Sequence, residues 1–236
     1  MTLKKKRNNL TDKKMTKETQ DKLFSLYIGK DDVREVMQSP WLDEKNGKVM
    51  ASNGRHLLAI SKETTVGDFP TRKMLASGIE GTRLGRISVV ALKEALGKLP
   101  QEDEYITTYE GRDCEECKGT GMVTAEYRSK DGDEYEIECD CPICEGSGWK
   151  EQPRIEKTGR TIPVSLATIN IGGFYLDWKY IDTLCQACAL VGVDSIECFT
   201  SNITYMLTFK LTENISVGIM RMLTPQNTNS IKIEWL

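Results

Sequence analysis

At 236 residues, 39% of them hydrophobic and with a formal net charge of only −3, the chain is long enough for one large domain or two small ones, and apolar enough to build a core. Near-neutrality excludes an electrostatic nucleic-acid binder acting through the whole molecule. With no apolar run of about 18 residues, and a lysine-rich start without an apolar stretch, the expectation is no membrane span, no secretory signal and a cytoplasmic location.

The charge is unevenly placed. Residues 1–22 carry a net +5 against −8 for the remainder, so residues 1–21 are read as a basic flexible tail. A solvated tail is the first reading of such a block, and an arm in which Lys4, Lys5, Lys6 and Arg7 meet DNA phosphates is the alternative. Next, residues 23–28 read as a short strand. A helix is expected from Asp31 or Asp32 to the residue before Ser39-Pro40, with acidic residues at its start and proline as its stop. Lys48 to Ser52 and Arg55 to Ser61 read as two strands joined at Asn53-Gly54, a pair that tolerates a tight hairpin turn. Residues 62–85 read as loop with a short helical piece. Val89, Val90, Leu92, Ala95 and Leu96 fall on helical spacing, which Gly97 and Pro100 end, before a strand at Tyr105 to Tyr109.

There a cysteine block interrupts. Residues 114–148 hold five of the eight cysteines. Cys114-x-x-Cys117-x-Gly119-x-Gly121 and Cys141-x-x-Cys144-x-Gly146-x-Gly148 repeat one pattern, and the segment between them alternates around Asp131-Gly132 as a β-hairpin. Two residues between cysteines let a tight knuckle aim both thiolates at one metal. Two knuckles supply four sulfurs, so Cys114, Cys117, Cys141 and Cys144 are expected to close one structural zinc site with no open position for catalysis. Cys139 is an alternative ligand to Cys141, although the C-P-x-C knuckle favours the latter. A redox dithiol is the competing reading. Cys185-x-x-Cys188 has the same spacing inside an apolar helical pattern, without flanking glycines, and reads with Cys198 as buried small hydrophobes.

After the block, residues 161–173 are strand-like. Tyr180, Ile181, Leu184, Cys185, Cys188 and Val191 share a helical face. Strands at Ser195 to Phe199, Thr204 to Leu211, Ile215 to Met222 and Ile231 to Trp235 form a closing meander. The order is α+β: antiparallel sheets with helices on one face and an inserted zinc-binding hairpin. The expected boundaries are 22–110 and 155–236 for the two parts of the body and 111–154 for the insert.

The cysteine block resembles the cysteine-rich zinc domain of DnaJ-type chaperones, in which such units pair across a hairpin. Two units stand here instead of four, implying one zinc, and the chain has no His-Pro-Asp tripeptide, so cochaperone function does not carry over. The body resembles the bacterial DNA polymerase sliding clamp family. Ala51-Ser52-Asn53-Gly54-Arg55-His56-Leu57 is similar to the clamps' Ala-Thr-Asp-Gly-His-Arg-Leu, with Arg and His exchanged. Tyr175-Leu176 and Met220-Arg221-Met222-Leu223-Thr224-Pro225 are similar to their closing segments. That resemblance implies helices against one face of an antiparallel sheet, double-stranded DNA met without sequence preference, and a ring closed by oligomerisation. It also implies a pocket at Gly54, Arg55, His56, Leu57, Met220 and Met222 for a short peptide of a polymerase-like or other partner. A non-enzymatic factor of DNA metabolism or processivity is the first expectation; a zinc-containing protein-binding adaptor with no nucleic-acid role is the second. With one histidine, no phosphate loop and no nucleophile motif, an enzyme is not expected.

Overall fold

The computed structural model describes residues 15–72, 81–200, 205–222 and 230–236. In chain order these form α1 (Lys17–Tyr27), β1 (Trp41–Asp43), β2 (Lys48–Ser52), β3 (His56–Ser61), β4 (Thr82–Ser88), α2 (Val89–Lys98), β5 (Gln101–Tyr109) and β6 (Arg112–Asp113). Then follow β7 (Met122–Arg128), β8 (Glu134–Asp140), β9 (Trp149–Glu151), β10 (Arg154–Pro163), β11 (Thr168–Ile171) and β12 (Phe174–Asp177). The chain closes with α3 (Trp178–Val191), β13 (Ser195–Thr200), β14 (Met206–Thr212), β15 (Ile215–Met220) and β16 (Ser230–Ile233). Two compact units result: residues 1–100 with 163–236, and residues 101–162.

In the first unit a seven-stranded sheet runs β1-β2-β3-β15-β14-β13-β4, every neighbouring pair antiparallel. Strand alternation puts Leu58, Ile60, Leu207, Phe209, Val217 and Ile219 on the face that joins the main core with Leu23 of α1, Leu92 of α2 and Leu184 of α3. Trp41, Met50 and Ala59 form a small separate cluster. A second sheet, β12-β11-β16, pairs β11 with β16 in parallel and contributes Ile169 and Ile171 to the main core; the last strand, expected in the closing meander, therefore leaves β13, β14 and β15 and joins this other sheet. The architecture is α+β, with mostly antiparallel sheets and helices on one face, as the element order predicts; the parallel β11–β16 pair is the exception.

Each helix starts where a side chain satisfies a free N–H. Thr16 accepts from the Thr19 N–H at 3.3 Å, Ser88 from Val90 at 3.2 Å and Asp177 from Lys179 at 2.9 Å. At its far end α3 stops on left-handed Gly192, whose N–H reaches the Cys188 carbonyl at 2.9 Å.

Two local expectations are corrected. Residues 23–27, expected as strand, complete α1. Gln20, Leu23, Phe24 and Tyr27 are its buried stripe, and Gln20 hides it in the sequence by being polar. That amide is held on both sides by the backbone of one residue, donating to the Val66 carbonyl at 2.9 Å and accepting from the Val66 N–H at 2.7 Å. The helix expected after Asp31 is only a 3₁₀ turn, Glu35–Met37. Asp32 folds its carboxylate onto the Arg34 N–H at 2.9 Å and the Arg34 guanidinium at 2.6 and 2.8 Å, a local bond that competes with helix propagation.

The second unit is a set of two-stranded ribbons: β5 with β10, β6 with β9, and the β7–β8 hairpin. Its buried hydrophobic cluster is Cys114, Cys117 and Cys141, with Val123 and Cys144 packed beside them. A unit of that size without an aliphatic core needs another source of stability.

A candidate metal centre

The two knuckles fold as copies. Lys118 and Glu145 both take left-handed backbone at φ 53, and Gly121 and Gly148 both sit at φ 77. Thr120 and Ser147 brace the turns, their hydroxyls donating to the carbonyls of Cys117 and Cys144 at 2.8 and 2.7 Å. The copies then exchange bonds: the Cys114 N–H donates to the Gly148 carbonyl and the Cys141 N–H to the Gly121 carbonyl, each at 2.8 Å. This exchange needs bare backbone. A Cβ on Gly121 would strike the Gly146 carbonyl, and one on Gly148 would come within 2.5 Å of the Gly119 carbonyl.

All four sulfurs gather in consequence. The Sγ atoms of Cys114, Cys117, Cys141 and Cys144 lie within 4.8 Å of one another, with Cys114 to Cys141 at 3.9 Å and Cys117 to Cys144 at 3.7 Å. A tetrahedral ion with metal–sulfur bonds of about 2.3 Å separates its sulfurs by about 3.8 Å, so the donor set fits. Backbone N–H groups of Gly121 and Gly148 donate to Cys117 Sγ and Cys144 Sγ, both at 3.3 Å. Burial raises the thiols of both, but the Gly121 N–H and the neighbouring sulfurs pull Cys117 down to about 7, while Cys144 stays high. Donation from the Gly121 N–H thus favours the thiolate at Cys117, the form a metal-binding sulfur needs.

Cys139 is not in the cluster; it lies on β8 opposite Val123. Cys185, Cys188 and Cys198 are buried elsewhere, and burial pushes their thiols up to about 11, 12 and 12. They pack as hydrophobes. The bracing pair Thr120 and Ser147 escaped the sequence reading, although both stand at the same offset within the repeat.

Of the candidate peptide pocket, Gly54 occupies the left-handed turn at φ 84, and Asn53 Oδ1 accepts from the N–H groups of Arg55 and His56 at 3.0 and 3.1 Å. His56 opposes Ile219 across the β3–β15 ladder, and the Met220 N–H donates to the Arg55 carbonyl at 2.9 Å. Met222 donates likewise to the Tyr175 carbonyl at 2.8 Å. Arg55 and Met220 are exposed, with Gly54, Leu57 and Met222 partly so. His56 is not a surface group: at 4% exposure it packs between the rings of Tyr27 and Tyr180, with centroids 4.6 and 5.0 Å away. Beside this group Arg221 stacks its guanidinium on Tyr205 at 4.6 Å and Phe174 at 5.6 Å. Lys4, Lys5, Lys6 and Arg7 lie outside the described residues.

No protein-family profile matches the chain, and no curated protein matches it significantly in sequence. Solved structures give a distant likeness. The DNA polymerase III beta subunit of Thermotoga maritima is 10% identical with a TM-score of 0.43, covering 89% of this chain and 64% of that one. Its counterpart from Streptococcus pneumoniae is 9% identical at 0.41, covering 89% and 64%, and that from Pseudomonas aeruginosa 13% identical at 0.38, covering 87% and 65%. The chain thus spans less than two thirds of the length of these subunits.

Proposed function

We propose that the chain is a non-enzymatic, sliding clamp-like factor of DNA metabolism or processivity carrying one structural zinc. The observation that carries this reading is a juxtaposition. The segments around Arg55 and Met220, which resemble the clamp family at opposite ends of the sequence, meet through the Met220 N–H to Arg55 carbonyl bond, and Met222 bonds to Tyr175 of the third such segment. Exposed Met220 and Arg55, with Leu57, Met222 and the neighbouring aromatic rings, offer the adaptable apolar surface that a short partner peptide uses. DNA would be met through phosphates, by Lys4, Lys5, Lys6 and Arg7 among other cations.

Zinc is assigned from the closed set of four thiolates, whose soft, tetrahedral geometry suits it. When bound, it supplies folding free energy and no reactive ligand position. Cys114, Cys117, Cys141 and Cys144 hold it, and the N–H groups of Gly121 and Gly148 offset thiolate charge. Elemental analysis after dialysis should find one zinc per chain, retained in Cys185→Ser and lost in Cys117→Ser. Two zincs, iron in its place, or no metal in fresh protein would overturn this assignment.

For the body, the test is duplex binding at about 50 mM salt, where phosphate contacts are strong, combined with sedimentation. Weak, sequence-independent binding or a ring-sized assembly supports the clamp reading. Absence of both with linear and circular DNA leaves the adaptor reading. The acidity of the second unit favours that alternative: residues 101–162 hold 17 acidic and 8 basic side chains, a net −9.

A further inference from the structure

The β7–β8 hairpin is amphipathic in a way its fold does not require. Tyr127 stands opposite Tyr135, Ala125 opposite Ile137 and Val123 opposite Cys139. Alternate residues of a strand share a face, so these six form one wholly apolar side of the ribbon. The other side holds Glu126, Glu134, Glu136, Glu138 and Asp140, with Arg128, Thr124 and Met122 among them. No third strand pairs with this ribbon among the described residues, and Tyr127, Tyr135 and Ile137 are 54%, 53% and 46% exposed.

Both faces cost stability in isolation. Exposed aromatic rings forgo burial, and Glu126 sits directly across from Glu136, a like-charge pair that weakens a ladder. An occupant that covers the rings relieves the first cost, and positive charge on it is favoured by the field of a unit of net −9. A second ribbon unit is a poor occupant, because two units of net −9 repel, and nucleic acid is repelled in the same way. We infer that the Tyr127–Tyr135–Ile137 face is a docking surface for a protein segment presenting apolar side chains interspersed with lysine or arginine. Its apolar groups cover Ile137 and the rings, its cations lie over the tyrosine faces, and the carboxylates on the opposite side of the ribbon steer its approach at longer range. The inference concerns the second unit alone and stands whether or not the body engages DNA, so its test contains none.

Three short synthetic peptides serve as probes for the full, metal-loaded chain: alternating lysine and leucine, lysine and serine, and glutamate and leucine. The lysine–leucine peptide should bind at least about tenfold more tightly than either other, a factor equivalent to about 1.4 kcal/mol. The pair Tyr127→Ser and Tyr135→Ser should lose that preference with metal content unchanged, while Tyr127→Phe and Tyr135→Phe keep it. Should the serine pair shed its metal, the reversal Glu136→Lys with Glu138→Lys decides, since it should weaken the lysine–leucine peptide and admit the glutamate–leucine one. Equal binding of the lysine–serine peptide, indifference to the serine pair with metal retained, or indifference to the charge reversal overturns the proposal. So does self-association of the intact chain that the serine pair abolishes, which would make a second copy the occupant.

Discussion

His56 shows how one buried side chain ties the fold to pH. Burial between two tyrosines lowers its pKa from an ordinary 6.5 to about 4, and its Nδ1 is buried without a hydrogen-bond partner among the described residues. Between those values the unfolded chain binds a proton that the folded chain refuses. The stability it contributes is therefore complete above pH 6.5 and lost as pH falls toward 4, by up to about 3 kcal/mol. Urea unfolding at pH 7, 6, 5 and 4.5 should show the native protein losing stability faster than His56→Phe over this window. Comparing the two removes the acid release of metal, common to both; parallel curves would show that His56 does not titrate there. Gly148 makes the corresponding case in the metal unit. Adding a Cβ at φ 77, 2.5 Å from the Gly119 carbonyl, costs at least about 1–2 kcal/mol of backbone strain alone. In a chelator competition Gly148→Ala should hold metal at least about tenfold more weakly, whereas Gly132→Ala, which carries the same left-handed strain at φ 93 in the hairpin turn but has nothing within 4 Å of its added carbon, isolates the carbonyl clash and should hold metal more tightly than Gly148→Ala.

At the scale of elements, what the sequence reveals depends on whether a segment's burial follows its own period. α3 was legible because its apolar face is unbroken between an Asp177 cap and a Gly192 stop; the meander strands were legible because they alternate against one core. The cysteine hairpin was legible because a repeated motif flanks a turn. α1 was not, since its buried Gln20 is paid for by Val66, a partner 46 residues away. Nor was β4, read as loop: it ends the seven-strand order and pairs only with β13, so its charged residues face solvent, as edge strands tolerate. β10 lies in a two-stranded ribbon exposed along most of its length, which leaves no alternation to read. The ribbon unit leaves and rejoins the first unit where the Val164 N–H donates to the Pro100 carbonyl at 2.9 Å. Replacing residues 101–162 by a short glycine linker should therefore preserve cooperative thermal unfolding of the first unit. A molten or insoluble product would show that the ribbon unit is integral to it.

For the whole molecule the clamp reading poses the question of where positive charge would meet DNA, and charge distribution makes it measurable. The ribbon unit carries −9 while the first 22 residues carry +5, so under the clamp reading the tail supplies much of the attraction. Where to cut is set by structure: Gln20 and Leu23 are buried in α1 and Thr16 caps it, so removing residues 1–14 spares the helix, whereas removing 1–20 destroys its first turns. Each phosphate neutralised adds about 0.9 to the slope of log affinity against log salt on duplex DNA. If Lys4, Lys5, Lys6 and Arg7 each engage one phosphate, truncation at Met15 should lower that slope by about 3 to 4 and weaken binding at every sequence alike. Anisotropy titrations of intact and truncated protein against two unrelated duplexes, between about 50 and 200 mM salt, read both quantities. An unchanged slope would place the DNA contacts on the body and remove the tail from the interface; a change confined to one duplex would mean that bases are read, which the phosphate account excludes.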